Sequence, residues 1–309
     1  MTMQTANSIK SLLRKILPAS FRAFYHQTRY GYALLRGRKL LKQLVIFLKT
    51  DHVLSIDEKE VLDYFLARRS PTVFPYDYCR KYSAKDIEVV FDKEKRLYCT
   101  ILFDGKKLYF KRKMNRSSCA RYISSIMSEQ DSESPHSYLS DDFAPSNNGL
   151  LVDAGAAEGF FALSQIDTSS KVFLIEPDDE WQEALKATFE PYADKTVIVP
   201  KFVSDNSEGM NIALDDLFAD GETPTFIKAD IEGFETKLLL GAEGLLRSAR
   251  GLSLALCTYH RQSDYDDLSV ILTRYNCALS HSKGYMFMFT DPALSSPYLR
   301  RGILRAAIK

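Results

Sequence analysis

The sequence predicts an α/β fold: a doubly wound, largely parallel sheet in the second half of the chain, preceded by a helical and β-hairpin extension. Three observations predict it. After Gly149, short apolar runs alternate with amphipathic stretches of about 10–15 residues. A turn carrying Gly155 and Gly159 follows the first run. Acidic residues recur where successive runs end, at Asp153, Glu176, Asp205 and Asp230. In such sheets ligands bind beyond the carboxyl ends of the strands.

The chain of 309 residues, 45% hydrophobic and 26% charged, is long enough for a sizeable core and has the balance of a folded globular protein. The longest apolar run near its start, residues 44–48, is far short of a membrane span. Residues 11–21 are broken by Arg14, Lys15 and Pro18, so no secretory signal is expected there. Cys79, Cys99, Cys119, Cys257 and Cys277 are odd in number and lack ligand spacing, which points to a reducing, cytoplasmic setting.

Residues 1–70 form a basic helical segment. Residues 1–50 hold ten Lys or Arg and no Asp or Glu, which leaves the rest of the chain at −9. Leu12, Leu13, Ile16, Leu34, Leu35, Leu40, Leu41, Leu44, Val45 and Phe47 recur at helical spacing between those charges. Such a helix packs on its own domain or a dimer mate, or lies peripherally on an anionic membrane. A short helix follows from Val61, Leu62, Phe65 and Leu66.

Residues 71–148 read as a small β-rich or α+β extension and linker. The runs 87–91, 97–103 and 107–110, with Asp104-Gly105 between the last two, predict a hairpin or meander. Lys106, Lys107, Lys111, Arg112, Lys113 and Arg116 form a basic edge. With an overall pI near 7.6 it reads as a solvated edge strand, and no nucleic-acid partner is expected. Residues 131–148, rich in Ser, Pro, Asp and Asn, read as linker or loop.

Residues 149–309 carry the alternating pattern. Strands are expected at 150–153, 171–176, 197–203, 225–230 and 252–259, and helices at 158–165, 178–192, 234–248 and 264–275. The first strand runs into Val152-Asp-Ala-Gly-Ala-Ala-Glu-Gly-Phe160, a D-x-G-x-x-x-G turn in which Gly155 and Gly159 let backbone approach a ligand. It is not G-x-G-x-x-G. Asp153 and Glu158 would repel a pyrophosphate and attract a ligand bearing a sulfonium and an ammonium, which favours S-adenosylmethionine over a dinucleotide.

Glu176, 21 residues after Gly155, is placed to accept from both ribose hydroxyls. Trp181 is either a cover for the adenine or helix packing. Asp205 is a candidate acceptor for the adenine amino group. Asp230 and Glu232, at i and i+2, are expected on one side of an extended chain at the mouth of the site. Either would orient a substrate hydroxyl, hold the methionine end or bind a cation; without His partners no metal is expected. His260, at the end of the fifth strand, suits proton removal from an acceptor hydroxyl. His281 and Lys283 are weaker acceptor-facing candidates.

These pieces together resemble the FkbM family of S-adenosylmethionine-dependent methyltransferases. The resemblance rests on residues 152–159, Leu174-Ile-Glu-Pro177, Leu214-Asp-Asp-Leu217, Lys228-Ala-Asp-Ile-Glu-Gly-Phe-Glu235 with Leu240-Gly-Ala242, and Cys257-Thr-Tyr-His260. It covers about half the chain. It implies a Rossmann-like class I methyltransferase sheet of seven strands and O-methylation of a hydroxyl on a carbohydrate or secondary metabolite. Carried over, Asp153, Gly155 and Glu158 surround the methionine portion, Glu176 the ribose and Asp230 the reaction centre. A nicotinamide-dependent sugar oxidoreductase and a non-catalytic nucleoside-binding module are the alternatives.

Overall fold

A computed structural model describes residues 19–50, 53–102 and 104–308, with backbone alone for 19–30 and Tyr32. Leu12, Leu13 and Ile16, and most of the stretch weighed as a secretory signal, lie outside the described residues. Helix α1 (Ala19–Lys49) and helix α2 (Ile56–Arg68) come first. Ser55 caps α2 by accepting from Glu58 N, while the Glu58 side chain reaches back to the Ser55 amide, a reciprocal capping box. Strands β1 (Val90–Asp92), β2 (Leu97–Ile101) and β3 (Lys107–Tyr109) make the expected meander, antiparallel throughout. Helix α3 (Arg116–Glu129) follows, its first turn capped by Asn115.

The main sheet is built from β4 (Gly149–Ala154), β5 (Ser169–Ile175), β6 (Thr196–Val199), β9 (Phe226–Ala229), β10 (Ser253–Cys257), β11 (Cys277–His281) and β12 (Ile303–Ile308). A separate parallel pair, β7 (Phe202–Val203) and β8 (Asn211–Ile212), lies outside it. Helices α4 (Phe160–Gln165), α5 (Asp179–Thr188), α6 (Leu214–Leu217), α7 (Glu235–Leu240), α8 (Glu243–Ser248) and α9 (Asp264–Leu272) are interleaved with these strands.

The spatial order is β11-β12-β10-β9-β4-β5-β6, with only β12 antiparallel to its neighbours. This is a doubly wound, Rossmann-like sheet. The chain reverses its direction of travel across the sheet at β4 and β9, so their carboxyl ends flank a crevice.

Alternate residues of each central strand feed two cores. Leu150, Val152, Ile227, Leu254 and Leu256 pack on α7, α8 and α9 through Leu238, Leu246 and Leu268. On the other face Leu151, Val172, Leu174, Phe226 and Ala255 meet Phe161, Leu163, Leu185 and Phe189, joined by Leu108, Phe110 and Ile123 of the extension. Burial on both faces explains why these strands read as nearly continuous apolar runs.

The structure departs from the expected elements where backbone chemistry intervenes. The strand expected over 197–203 stops at Val199 because Pro200 cannot donate to a ladder, and the chain resumes as β7. The helix expected over 234–248 is divided at Gly241, where an added Cβ would lie 2.1 Å from Ser204 O. Strands β11 and β12, absent from the residue pattern read above, complete the sheet.

The apolar side of α1 is turned inward. Leu40, Leu41, Leu44 and Leu48 are buried against Val61, Leu62, Phe65, Phe287 and Phe289. No helix among the described residues is long and apolar enough to cross a membrane. Leu44→Ala is expected to cost about 2–5 kcal/mol in urea unfolding, the range for a cavity in a packed core. Leu35→Ala, on the outer side of the same helix, should stay within about 0.5 kcal/mol of the wild type.

Candidate active site

A cavity of about 620 Å³ opens at the carboxyl ends of β4, β5 and β9, within the size range of small-molecule sites. The turn after β4 forms its floor. Gly155 has φ +75°, and a Cβ there would sit 2.0 Å from Asp230 O, so only glycine allows the two strand ends to approach this closely. Gly159 has φ +81°, but its missing side chain makes room for Phe189 and Leu185. It lies off the cavity lining and serves packing.

Behind the floor lies a cation that sequence reasoning did not single out. Lys228, buried on β9, places Nζ 2.9 Å from Asp153 Oδ1 and donates to Gly155 O at 2.8 Å. Burial disfavours its charged form, but the Asp153 and Asp230 carboxylates outweigh burial and its pKa is raised. Asp153 is fully buried. Despite its ion pair it accepts no directed hydrogen bond among the described residues, so its lone pairs are not used up.

Glu158 and Glu176 stand on the lining beside it. The Glu158 carboxylate accepts from Tyr122 Oη at 2.5 Å, and burial pushes its pKa up to about 7. Glu176, at the end of β5, accepts Ala157 N at 3.0 Å on one oxygen and Asp178 N at 2.8 Å on the other. Each oxygen keeps a second lone pair for a ligand. Burial raises the Glu176 pKa, opposed by those two amides. Trp181 lies on the lining and also packs, 5.4 Å from the Tyr122 ring with Lys111 Nζ 4.4 Å over its own. Asp205 lies off the lining; its Oδ1 is 3.4 Å from Lys237 Nζ.

Asp230, just past β9, is surrounded by donors. It accepts from Tyr138 Oη at 3.2 Å and Tyr259 Oη at 3.0 Å, and lies 3.2 Å from His260 Nε2 and 3.6 Å from His136 Nε2. Burial alone would raise its pKa, but the two imidazoles and Lys228 hold it well below the usual range. Glu232 also lines the cavity, but the extended geometry expected to set it beside Asp230 is not found. The strand ends at Ala229, Glu232 takes φ +57° in the following turn, and its side chain is 93% exposed.

His260 sits behind Asp230 and off the cavity wall. Its Nε2 is 3.5 Å from Glu235 Oε1 as well as 3.2 Å from Asp230. Burial lowers its pKa, the two carboxylates more than reverse this, and the net shift is upward. Glu235, buried and hydrogen-bonded to Ile231 N, is pushed up to about 7.

The histidine on the wall is His136. Gln130 Nε2 donates to His136 O at 3.3 Å, which fixes the orientation of the amide, and the same nitrogen lies 3.2 Å from His136 Nδ1. Nδ1 is therefore an acceptor, and the ring proton on Nε2 faces Asp230.

His136 and Tyr138 belong to the stretch 131–148, read above as linker or loop. It carries no regular element longer than a bridge at Ser140 and Phe143, yet residues 134–138 are buried. Arg305 on β12 holds it in place by donating to Ser137 O, Tyr138 O and Leu139 O at 2.9, 3.1 and 2.7 Å. His281 and Lys283 are exposed and lie off the lining.

Two groups among the described residues bring metal-type donors together: Asp230, Glu235 and His260, and His136, Asp230 and Cys257, the donor atoms of each within 4.8 Å. The His partners missing from the sequence argument are thus present. Hydrogen bonds among these side chains already engage them.

The chain is similar in structure to an rRNA methylase from Streptococcus thermophilus, with 15% identity over 53% of this chain and 90% of that one and a TM-score of 0.37. It is also similar to a precorrin-6y C5,15-methyltransferase from Geobacter metallireducens, with 12% identity over 65% and 93% of the two chains and a TM-score of 0.39. The C-terminal domain of precorrin-6Y C5,15-methyltransferase from Rhodobacter capsulatus gives 13% identity over 65% and 94%, with a TM-score of 0.38. No family model and no curated protein matches the chain.

The buried Glu158 gives the site a pH signature. Its folded pKa of about 7 lies above the ordinary 4.5, so its contribution to stability is complete below about 4.5 and is lost as pH rises toward 7. Glu158→Gln is expected to gain on the wild type over that interval by up to about 3 kcal/mol, measured as urea midpoints at both ends. A stability difference that stays constant with pH would contradict this.

Proposed function

We propose that the chain is an S-adenosylmethionine-dependent methyltransferase of the FkbM family, acting on a hydroxyl of a carbohydrate or secondary metabolite. One observation carries this. Glu176 projects from the end of β5 onto the cavity wall with one lone pair free on each oxygen, beside an acidic turn whose only nearby buried cation, among the described residues, is already paired. That set suits a nucleoside with a cationic tail and repels a pyrophosphate. Glu176 would hold the ribose, and Asp153, Gly155 and Glu158 would surround the methionine portion. Bound there, the cofactor supplies an electrophilic methyl group.

The chain's own residues handle the acceptor. Asp230, ionised and ringed by donors, orients the hydroxyl and attracts its proton. His260 Nε2 lies between Asp230 and Glu235, so passing its own proton to Glu235, whose pKa of about 7 suits uptake near neutrality, frees that nitrogen to take the proton released at Asp230. His136 holds the opposite oxygen of Asp230, so His136 is the histidine nearer the acceptor. Glu129, on the same wall with Ser125 Oγ at 3.0 Å on its carboxylate, offers a second contact for a polyol.

Titration calorimetry with S-adenosylhomocysteine should show binding that Glu176→Ala weakens by about 1–3 kcal/mol, the cost of an unmet buried polar partner. Binding of NAD without S-adenosylhomocysteine would overturn the proposal. With an extract of host glycans and metabolites as acceptor, Asp230→Asn should lower methyl transfer by about 10²–10⁴-fold, the range for loss of a proton-handling group. Glu235→Gln should move the pH dependence of transfer.

A further inference from the structure

The outer side of α1 is built differently from the basic edge of the meander. Leu35, Arg38, Lys39, Lys42, Ile46 and Lys49 follow one another at helical spacing and are all exposed, opposite the buried stripe of Leu40, Leu44 and Leu48. Two of them are bulky aliphatics, Leu35 at 67% and Ile46 at 63% exposure, about 16 Å apart along the helix axis. Among the described residues none of Arg38, Lys39, Lys42 and Lys49 is paired with a carboxylate, and residues 1–50 contain no carboxylate at all.

The contrast is with the basic edge of the meander. There Lys111 meets Asp178, Arg112 meets Glu183 and Lys113 meets Glu180, so acidic residues at the cap and in the first half of α5 absorb that charge internally. Helix α1 leaves its charge unspent.

We infer that this face of α1 lies on an anionic phospholipid surface. Lysines extend their ammonium groups to headgroup phosphates while their stems lie along the interface, and Leu35 and Ile46 enter the acyl boundary between them. Each basic residue near such a surface adds attraction that falls off within a Debye length. A nucleic-acid backbone would satisfy the cations and leave the two aliphatics in water. A second copy packed symmetrically on the same stripe would set lysine against lysine.

The test is sedimentation of the purified full chain with vesicles of phosphatidylcholine alone and of phosphatidylcholine with about one third phosphatidylglycerol, the anionic case. Partitioning is expected only onto the anionic vesicles, and should weaken as salt is raised. Lys39→Glu with Lys42→Glu should lower it about tenfold or more. Leu35→Ser with Ile46→Ser should also lower it, and both pairs should keep the thermal midpoint because these side chains are exposed. No partitioning at low salt, equal partitioning onto both vesicles, or partitioning that neither pair alters would overturn the proposal. So would a dimer in solution that the Lys pair dissociates without any vesicle binding, which would assign the face to a second copy.

Discussion

One buried ammonium group makes the rest of the site possible. Lys228 joins the end of β9 to the turn after β4 through Asp153 and the Gly155 carbonyl, and its Nζ lies 5.4 Å from the centre of the Tyr138 ring. Without this cation Asp153 would lose its ion-pair partner, and Asp230 would keep only the two imidazoles against the carboxylates crowding the floor of the cavity. Removing one partner of a buried pair typically costs about 3–5 kcal/mol, because the other is left uncompensated. The close approach allowed by Gly155 belongs to the same arrangement, since it brings the Asp230 backbone against the turn that Lys228 anchors.

The site has two halves with different origins. The sheet supplies the acidic turn, Glu176 and Asp230 from strand ends whose positions follow from the fold. The extension supplies Tyr122, Glu129, His136 and Tyr138, which close the opposite wall. Asp230 lies where the halves meet and draws donors from both, Tyr259 and His260 from the end of β10 and His136 and Tyr138 from the stretch 131–148. Its ionised state is therefore a property of the assembled molecule.

The sheet half was legible in the sequence because its signals are local. Apolar runs such as Leu150-Leu-Val152 mark strands buried on both faces, and a strand followed by a glycine turn fixes where Asp153, Gly155, Glu176 and Asp230 must lie. Asp205 and His260 follow strands as expected but lie off the cavity lining, because one side chain turns to Lys237 and the other to the back of Asp230. His136 was missed because its surroundings read as polar loop, and its burial depends on Arg305, far along the chain. That arginine also hid β12, since a charge in the middle of Ile303-Leu-Arg-Ala-Ala-Ile308 interrupts the pattern of a central strand.

Arg305 also sets an order of events in folding. Its hydrogen bonds to residues 137–139 span 166 to 168 positions of chain, and β12 enters the sheet between β10 and β11. Contacts of such long range carry a large closure entropy and form after local ones. The wall bearing His136 and Tyr138 can be fixed only once the final strand has inserted. One side of the cavity is thus held by the pairing of neighbouring strands, and the other by a tether to a strand near the far end of the sheet.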